Sequence, residues 1–203
     1  MITLDQSRGL RRGMVALAIL GGLSLVLGVA ALLVLSNFGS ANIHAFVTPS
    51  NSMCPTICEG ERFFVDLAAY STHAPARGDV IAFDYQSEGK GSLFIKRVIG
   101  IAGDTVSSDS SGEILVNGRA LSLASEKSIC GKPTRGPDRI TEPLLFPSTT
   151  VPQGALFLVG DNLANSFDSR FPNFGAAPSD RARGKLMLIY WSPGSGRIGC
   201  SIR

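Results

Sequence analysis

The chain has 203 residues, of which 44% are hydrophobic, and a formal net charge of +3. This length accommodates one domain of ordinary size with a small appendage. So small a net charge, with no dense block of Lys and Arg, argues against a nucleic-acid partner. The hydrophobic excess is uneven, because much of it lies in one run near the N-terminus and the remainder has a globular composition.

The first predicted element is a membrane-spanning helix at residues 14–35, a segment without any charged residue. A helix of about 22 residues is roughly 33 Å long, enough for the hydrocarbon core of a bilayer. The segment is apolar on every face, which disfavours a buried helix of a soluble domain. A cleavable signal peptide is the other alternative, but its apolar region normally runs only about 7–15 residues.

The charges beside this segment predict its orientation. Three arginines precede it: Arg8, Arg11 and Arg12. Residues 36–50 contain no Lys or Arg. The positive-inside rule therefore predicts a cytoplasmic segment at 1–13 and an extracytoplasmic domain at 36–203.

Beyond the span the predicted elements are strands. Short runs rich in Val, Ile and Phe alternate with Gly, Pro, Asp and Ser, a pattern typical of a mainly β domain. The predicted strands are Arg62–Leu67, Asp79–Tyr85, Leu93–Ile101, Glu113–Val116, Ala155–Val159 and Lys185–Trp191. Asn117 and Gly118 predict a tight hairpin turn, because both residue types tolerate positive φ. Residues 122–150 are rich in Pro, Gly, Ser and charge, and predict a loop-heavy insertion.

The first stretch with candidate catalytic residues runs from Pro49 to Thr56. Prolines near both ends disfavour a helix, and in an extended segment Ser50 and Ser52 point to the same side. One hydroxyl can then attack a carbonyl carbon while the other donates a hydrogen bond to the developing oxyanion. A proline-flanked loop without function is the open alternative.

The second stretch is an apolar strand interrupted by Lys96. Phe94, Lys96 and Val98 share one face of this strand. If that face is buried, the pKa of the lysine falls, and its neutral amine can accept a proton from a serine hydroxyl. The alternative is an exposed strand with Lys96 in water and Arg97 on the other face.

The third stretch, Gly160 to Arg170, follows a predicted strand and is dense in polar side chains. Such density is typical of a turn. It also offers supporting groups for a site, namely a serine hydroxyl to orient the lysine and an Asp–Arg pair to hold the loop.

The four cysteines, Cys54, Cys58, Cys130 and Cys200, allow three disulfide pairings outside the cytoplasm, and the sequence does not select among them. No metal site is predicted, since Cys54 and Cys58 lack the CxxC spacing and the chain has only two histidines, His44 and His73. Cys54 is a rival nucleophile, but nothing in the sequence places a histidine beside it.

Taken together, these stretches resemble the type I signal (leader) peptidases of serine peptidase family S26, the Ser–Lys kind. Four boxes of that family are matched in the same order: Ser50–Thr56, Arg77–Phe83, Lys96–Asp104 and Gly160–Arg170. The resemblance extends from about Phe46 to Trp191. The sequence departs from the family pattern at Cys54, Ile57, Phe94, Leu163 and Ala164. These departures leave the substrate preference open.

The resemblance implies roles for individual residues. Ser52 is expected to be the nucleophile and Lys96 the general base, with the hydroxyl of Ser50 and the backbone N–H of Ser52 as the oxyanion hole. A hydrogen bond is expected between the side chains of Ser166 and Lys96. Further structural supports are expected at Asp161, Asp168 and Arg170. The resemblance also implies a signal-peptidase-like β-sheet catalytic domain, with a small variable insert at about 106–150.

The function implied by the resemblance is a membrane-bound endopeptidase that removes N-terminal signal peptides from exported preproteins. It would be a single-pass protein of the bacterial inner membrane, with its catalytic domain on the periplasmic side. The expected partners are signal peptides and the lipid bilayer, with no cofactor, metal or nucleic acid. Three alternatives remain open: a specialised family S26 peptidase for a pilin or one dedicated substrate, an inactive membrane-anchored binding protein, and a self-cleaving regulator.

Overall fold

A computed structural model describes residues 28–29, 42–87, 90–121, 130–131, 133, 136, 138–194 and 196–202. The chain divides into two compact units, Met1–Asn42 and Ile43–Arg203. No helix in the described parts is long and apolar enough to cross a bilayer. The predicted span at 14–35 lies outside the described residues, apart from residues 28–29.

The second unit is built from antiparallel strands, which confirms the predicted mainly β class. The strands are β1 Ile43–Val47, β2 Arg62–Asp66, β3 Val80–Ser87, β4 Lys90–Ile101, β5 Thr105–Ser108, β6 Ile114–Val116, β7 Arg119–Ala120, β8 Thr149–Thr150, β9 Ala155–Val159, β10 Ala177–Pro178 and β11 Ala182–Trp191. They form a seven-stranded sheet of order β1-β2-β11-β3-β4-β9-β10 and a four-stranded sheet of order β7-β6-β5-β8. Two 3₁₀ helices, Leu163–Asn165 and Ser179–Arg181, flank β10 in the chain.

Each of the six predicted runs overlaps a strand; the run at Ala155–Val159 coincides with β9, and the boundaries of the others differ by a few residues. The predicted hairpin is also present, and Asn117 and Gly118 between β6 and β7 have φ values of 52° and 75°. Strands β1, β5, β8 and β10 were not predicted. The predicted insert carries all of the smaller sheet, whereas its described residues from 130 to 148 form neither helix nor strand.

The loop between β1 and β2 is anchored in the core of the larger sheet. Its Met53 is 2% exposed and packs in a cluster with Phe63, Val65, Leu186 and Ile189 from β2 and β11. Burying a side chain of this size stabilises the fold by roughly 1.5–3 kcal/mol. The residue next to Ser52 therefore fixes the loop against the sheet.

The strands that pair with β4 differ before and after Lys96. On one edge it pairs with β3 from Lys90, opposite Ser87, to Arg97, opposite Val80. On the other edge it pairs with β9 only from Arg97 onward. Within the described residues, positions 90–96 of β4 therefore have one edge without a neighbouring strand.

Candidate active site

Ser52 and Lys96 meet at the centre of the site. Ser52 lies in the loop between β1 and β2, and Lys96 lies on β4, yet Nζ of Lys96 is 3.3 Å from Oγ of Ser52. Lys96 is only 3% exposed, so the alternative of an exposed strand is wrong. Burial lowers the pKa of Lys96 from 10.5 to about 8. The charge of Arg170 lowers this pKa further, whereas Asp168 and Asp161 oppose the shift.

Ser50 lies beside this pair. Its Oγ is 3.4 Å from Oγ of Ser52, so the two hydroxyls lie together as expected. The extended segment expected here is wrong, because residues 52–56 form turns. The hydroxyl of Thr48 donates to the carbonyl of Ser50 at 3.0 Å, and the amide of Thr48 donates to the carbonyl of Glu61 at 3.1 Å. The start of the loop is thus tied to its end.

A cleft of about 320 Å³ opens next to the two serines and the lysine. One wall is the loop that carries Ser52, and the opposite wall is the part of β4 that leads to Lys96. The lining residues are Thr48, Pro49, Ser50, Ser52, Leu93, Phe94, Ile95, Lys96 and Phe167. Nζ of Lys96 lies 5.2 Å from the centroid of the Phe94 ring. The cleft combines apolar walls with a few convergent polar groups, as ligand sites commonly do.

Arg97 and Asp161 form a buried ion pair beside the lysine. Nε of Arg97 donates to Oδ1 of Asp161 at 2.8 Å, and Nη2 donates to Oδ2 at 2.6 Å. The hydroxyl of Thr56 also donates to Asp161. Asp161 therefore links the loop between β1 and β2, called the nucleophile loop below, to the strand that carries Lys96. Sequence reasoning assigned no role to Arg97 or Thr56, although both belong to matched boxes.

Asp168 and Arg170 form a second buried pair. Arg170 donates from Nε to Oδ1 of Asp168 at 2.8 Å and from Nη2 to Oδ2 at 2.9 Å. Asp168 also accepts the amide of Gly160 at 3.0 Å, and Arg170 donates to the carbonyl of Leu163 at 3.0 Å. These bonds hold the loop that follows β9 in a fixed shape.

Asn162 binds the backbone of the nucleophile loop directly. Its backbone N–H donates to the carbonyl of Ser52 at 3.0 Å, and its side-chain Nδ2 donates to the carbonyl of Asn51 at 3.0 Å. The side chain is fully buried. Sequence reasoning passed over Asn162, whose only signal was its place in the box that begins at Gly160.

The expected hydrogen bond between Ser166 and Lys96 is not formed. The Oγ atom of Ser166 is buried without a hydrogen-bond partner among the described residues, and the amine of Lys96 donates to Ser52 instead. Ser166 packs against Gly160, where an added Cβ would lie 2.2 Å from Oγ of Ser166 and 2.5 Å from the carbonyl oxygen of Ser52. Space left by the glycine accommodates the hydroxyl.

All four cysteines form disulfides, in the pairs Cys54–Cys58 and Cys130–Cys200. Since no cysteine is free, Cys54 has no thiol with which to attack a substrate, and that alternative is wrong. In the described part of the chain, His, Cys, Asp and Glu form no group that is arranged to hold a metal ion.

Comparison with known proteins gives consistent matches. The sequence profile of a family described as "Signal peptidase, peptidase S26" matches residues 21–191. A signal peptidase I of Leptolyngbya laminosa is 33% identical over 151 residues, covering 70% of this chain and 66% of that protein. A probable signal peptidase I-1 of Synechocystis sp. is 34% identical over 159 residues, covering 74% and 73%. The signal peptidase I of Pseudomonas aeruginosa is 32% identical over 166 residues, covering 68% and 58%.

A crystal structure of a signal peptidase I from Enterococcus faecalis V583 is 31% identical, with a TM-score of 0.40, and the match covers 55% of this chain and 96% of that one. Across the three curated relatives, this chain spans between 58% and 73% of the other protein's length.

Proposed function

This chain belongs to the signal peptidase family, peptidase S26, and on that basis we propose that it is a membrane-bound serine endopeptidase that removes signal peptides from exported preproteins. Ser52 is the proposed nucleophile and Lys96 the proposed general base. The observation that carries the proposal is the 3.3 Å distance between Nζ of the buried Lys96 and Oγ of Ser52. A base within hydrogen-bond reach of a hydroxyl is the arrangement that nucleophilic catalysis requires.

The first chemical step is acylation. Neutral Lys96 takes the proton of the Ser52 hydroxyl as Oγ attacks the carbonyl carbon of the scissile peptide bond. The hydroxyl of Ser50 and the backbone N–H of Ser52 donate to the resulting oxyanion, and each such donor contributes about 3–4 kcal/mol in comparable sites. The protonated Lys96 then gives its proton to the leaving amine as the C–N bond breaks, which leaves an ester on Ser52.

The second step is deacylation. Neutral Lys96 accepts a proton from a water molecule while the water oxygen attacks the ester carbonyl. The same donors stabilise the second oxyanion. Its collapse returns the proton to Oγ of Ser52 and releases the new carboxyl end of the signal peptide.

The open edge of β4 supports an extended peptide as substrate. Residues 90–96 have no strand on the edge opposite β3 within the described part of the chain, and Lys96 stands at the end of this stretch. A peptide that pairs with such an edge gains main-chain hydrogen bonds and presents alternate side chains to the cleft. The scissile bond then lies close to Ser52.

A membrane anchor at residues 14–35 is part of the proposed function. Its support is the uncharged apolar sequence and the arginines that precede it. The same rule puts residues 36–203 on the outer side of the bacterial inner membrane, where signal peptides emerge. The two disulfides agree with this side of the membrane, since such bonds persist in oxidising compartments.

Cleavage of a preprotein by the purified full chain in detergent tests the proposal. We expect Ser52→Ala and Lys96→Met each to lower kcat/KM by at least about 10⁴-fold. A suitable control is Lys185→Met, which changes a half-exposed lysine on β11 that pairs with Asp79. N-terminal sequencing of the product identifies the cleaved bond, and substantial cleavage by either dyad variant would overturn the assignment.

A further inference from the structure

The predicted insert reaches the active site through Asp138. Oδ2 of this residue accepts from Nδ2 of Asn162 at 3.1 Å and from Nδ2 of Asn165 at 3.0 Å. The amide of Asp138 donates to Oδ1 of Asn162 at 3.0 Å. Both ends of the Asn162 carboxamide are therefore bound by Asp138, which fixes the plane of that side chain and distinguishes its oxygen from its nitrogen.

The oriented carboxamide of Asn162 controls one peptide bond of the nucleophile loop. Its Nδ2 donates to the carbonyl of Asn51 at 3.0 Å, and that carbonyl belongs to the peptide unit whose N–H is the amide of Ser52. A peptide unit is planar and its C=O and N–H point in opposite directions when it is trans. Anchoring the carbonyl of Asn51 on one side therefore aims the N–H of Ser52 toward the other.

A second hydrogen bond fixes the next peptide unit. The backbone N–H of Asn162 donates to the carbonyl of Ser52 at 3.0 Å. With both carbonyls held by one buried residue, the backbone on either side of the Ser52 Cα has little freedom to rotate. An oxyanion donor is effective because it is held in place before the reaction, and it loses that benefit when it must reorient.

Two residues that precede Asp138 in the insert are held against the C-terminal part of the chain. Cys130 is bonded to Cys200, and Gly131 packs so closely on the carbonyl of Gly196 that an added Cβ would lie 2.2 Å away. The next residue, Arg197, is 2% exposed and donates to the carbonyl of Thr56 in the nucleophile loop. A disulfide and close packing therefore attach Cys130 and Gly131, which precede Asp138 in the insert, to the residues around Arg197.

We propose that Asp138 is a positioning residue that aims the Ser52 N–H at the developing oxyanion by orienting Asn162. This inference rests on the proposed peptidase function and adds a residue outside the four matched boxes. Because the oxyanion exists only during the reaction, loss of Asp138 slows the chemical step and leaves substrate binding unchanged.

Three variants of the full chain in detergent test the inference. Asp138→Ala removes the acceptor, and Asp138→Asn keeps one oxygen that can accept from Asn162. The control is Asp109→Ala, the same substitution in the same insert, where the carboxylate accepts hydrogen bonds within its own turn, from Ser111 and Glu113 among the described residues. The rate constant is measured in a single turnover with saturating enzyme, because this constant does not depend on the fraction of active molecules.

We expect Asp138→Ala to lower the single-turnover rate constant about tenfold with KM unchanged within about twofold. Asp138→Asn is expected to recover most of the rate, and Asp109→Ala to retain all of it. A wild-type rate constant for Asp138→Ala would overturn the inference. So would an unchanged rate constant together with a lower Tm, because that result indicates a role in folding alone.

Ser52→Ala separates this inference from the proposed function. If Ser52→Ala still cleaves the preprotein, the proposed dyad is wrong and the positioning role falls with it. If Ser52→Ala is inactive and Asp138→Ala is as fast as wild type, only the positioning role is wrong.

Discussion

Arg97 and Asp161 are joined by two parallel hydrogen bonds of 2.8 and 2.6 Å in a place where their side chains are 8% and 2% exposed. Each member of the pair adjoins a residue of the site. Arg97 directly follows Lys96, and Asp161 directly follows Gly160, which packs on the carbonyl of Ser52. The pair therefore fixes the distance between the strand that carries the base and the loop that holds the nucleophile.

Replacing Arg97 by lysine is expected to destabilise the protein by about 3 kcal/mol. A lysine cannot make the two parallel bonds, and it leaves Asp161 incompletely paired in a buried site. Urea denaturation of the two proteins measures the difference in the free energy of unfolding. Arg183→Lys is the control, because the Arg183–Asp84 pair is 64% and 30% exposed and such pairs contribute at most about 1 kcal/mol. Equal effects of the two substitutions would contradict the prediction.

The pH dependence of kcat/KM is expected to follow Lys96. Only the neutral amine accepts a proton, and burial lowers the pKa of Lys96 to about 8. Activity should therefore rise with pH and reach half its maximum near that value. Asp161→Asn removes a charge that raises this pKa, so its profile should shift to lower pH. A rate that does not change between about pH 6 and about pH 9 would exclude Lys96 as the base.

Lys96→Met is expected to raise the free energy of unfolding at neutral pH while it abolishes activity. The pKa of Lys96 falls from 10.5 to about 8 on folding, which corresponds to a cost of about 3 kcal/mol when both states are protonated. Between these two pH values the unfolded chain binds more protons, so this cost declines as pH rises. The gain should thus be largest below pH 8 and absent above about pH 10.5. A variant less stable than wild type at pH 7 would contradict the stated cost of burial.

Gly160→Ala is expected to inactivate the site and to cost about 1–3 kcal/mol of stability, as overpacking does. The added Cβ would lie 2.2 Å from Oγ of Ser166 and 2.5 Å from the carbonyl oxygen of Ser52, so one of them has to move. The control is Gly136→Ala, an exposed position where an added Cβ would have no heavy atom within 4 Å apart from its chain neighbours. Measured kcat and Tm for both variants distinguish crowding from a general effect of losing a glycine, and an active Gly160→Ala would refute the predicted clash.

The two disulfides are expected to differ in their contribution to stability. Cys130–Cys200 spans 70 residues and Cys54–Cys58 only 4. In the chain-entropy treatment, the long loop gives about 4 kcal/mol and the short one about 2 kcal/mol. Paired Cys→Ser replacements at each bridge, followed by urea denaturation, measure both. Equal losses would indicate that loop length does not set the difference.

Hydrophobic alternation was sufficient to predict the longer strands but not the short ones. In β11 the predicted run includes Leu186 and Ile189, which are buried while the residues on either side of each are at least partly exposed. In β1 four of five residues are exposed, so no apolar face marks the strand. Strands β8 and β10 have two residues each, and only their partners in the sheet define them.

The site was predictable where its residues lie within short boxes, and unpredictable where it depends on contacts between distant irregular segments. Lys96 stands out because it interrupts an apolar strand, and Ser52 because it lies in a short box that matches the family. The contact of Asp138 with Asn162 spans 24 residues, and that of Arg197 with Thr56 spans 141, and neither segment has a periodicity to reveal it. The predicted hydrogen bond between Ser166 and Lys96 was wrong, because a motif indicates that two residues are close but not which rotamer the side chain adopts.

The bond from Arg197 to the carbonyl of Thr56 has a consequence for the order of biosynthesis. A nascent chain that has emerged from the ribosome as far as residue 190 already contains every proposed catalytic group. It still lacks the guanidinium that binds the nucleophile loop and pairs with the buried Glu61. The contacts that hold the loop between β1 and β2 are therefore complete only after residue 197 has left the ribosome.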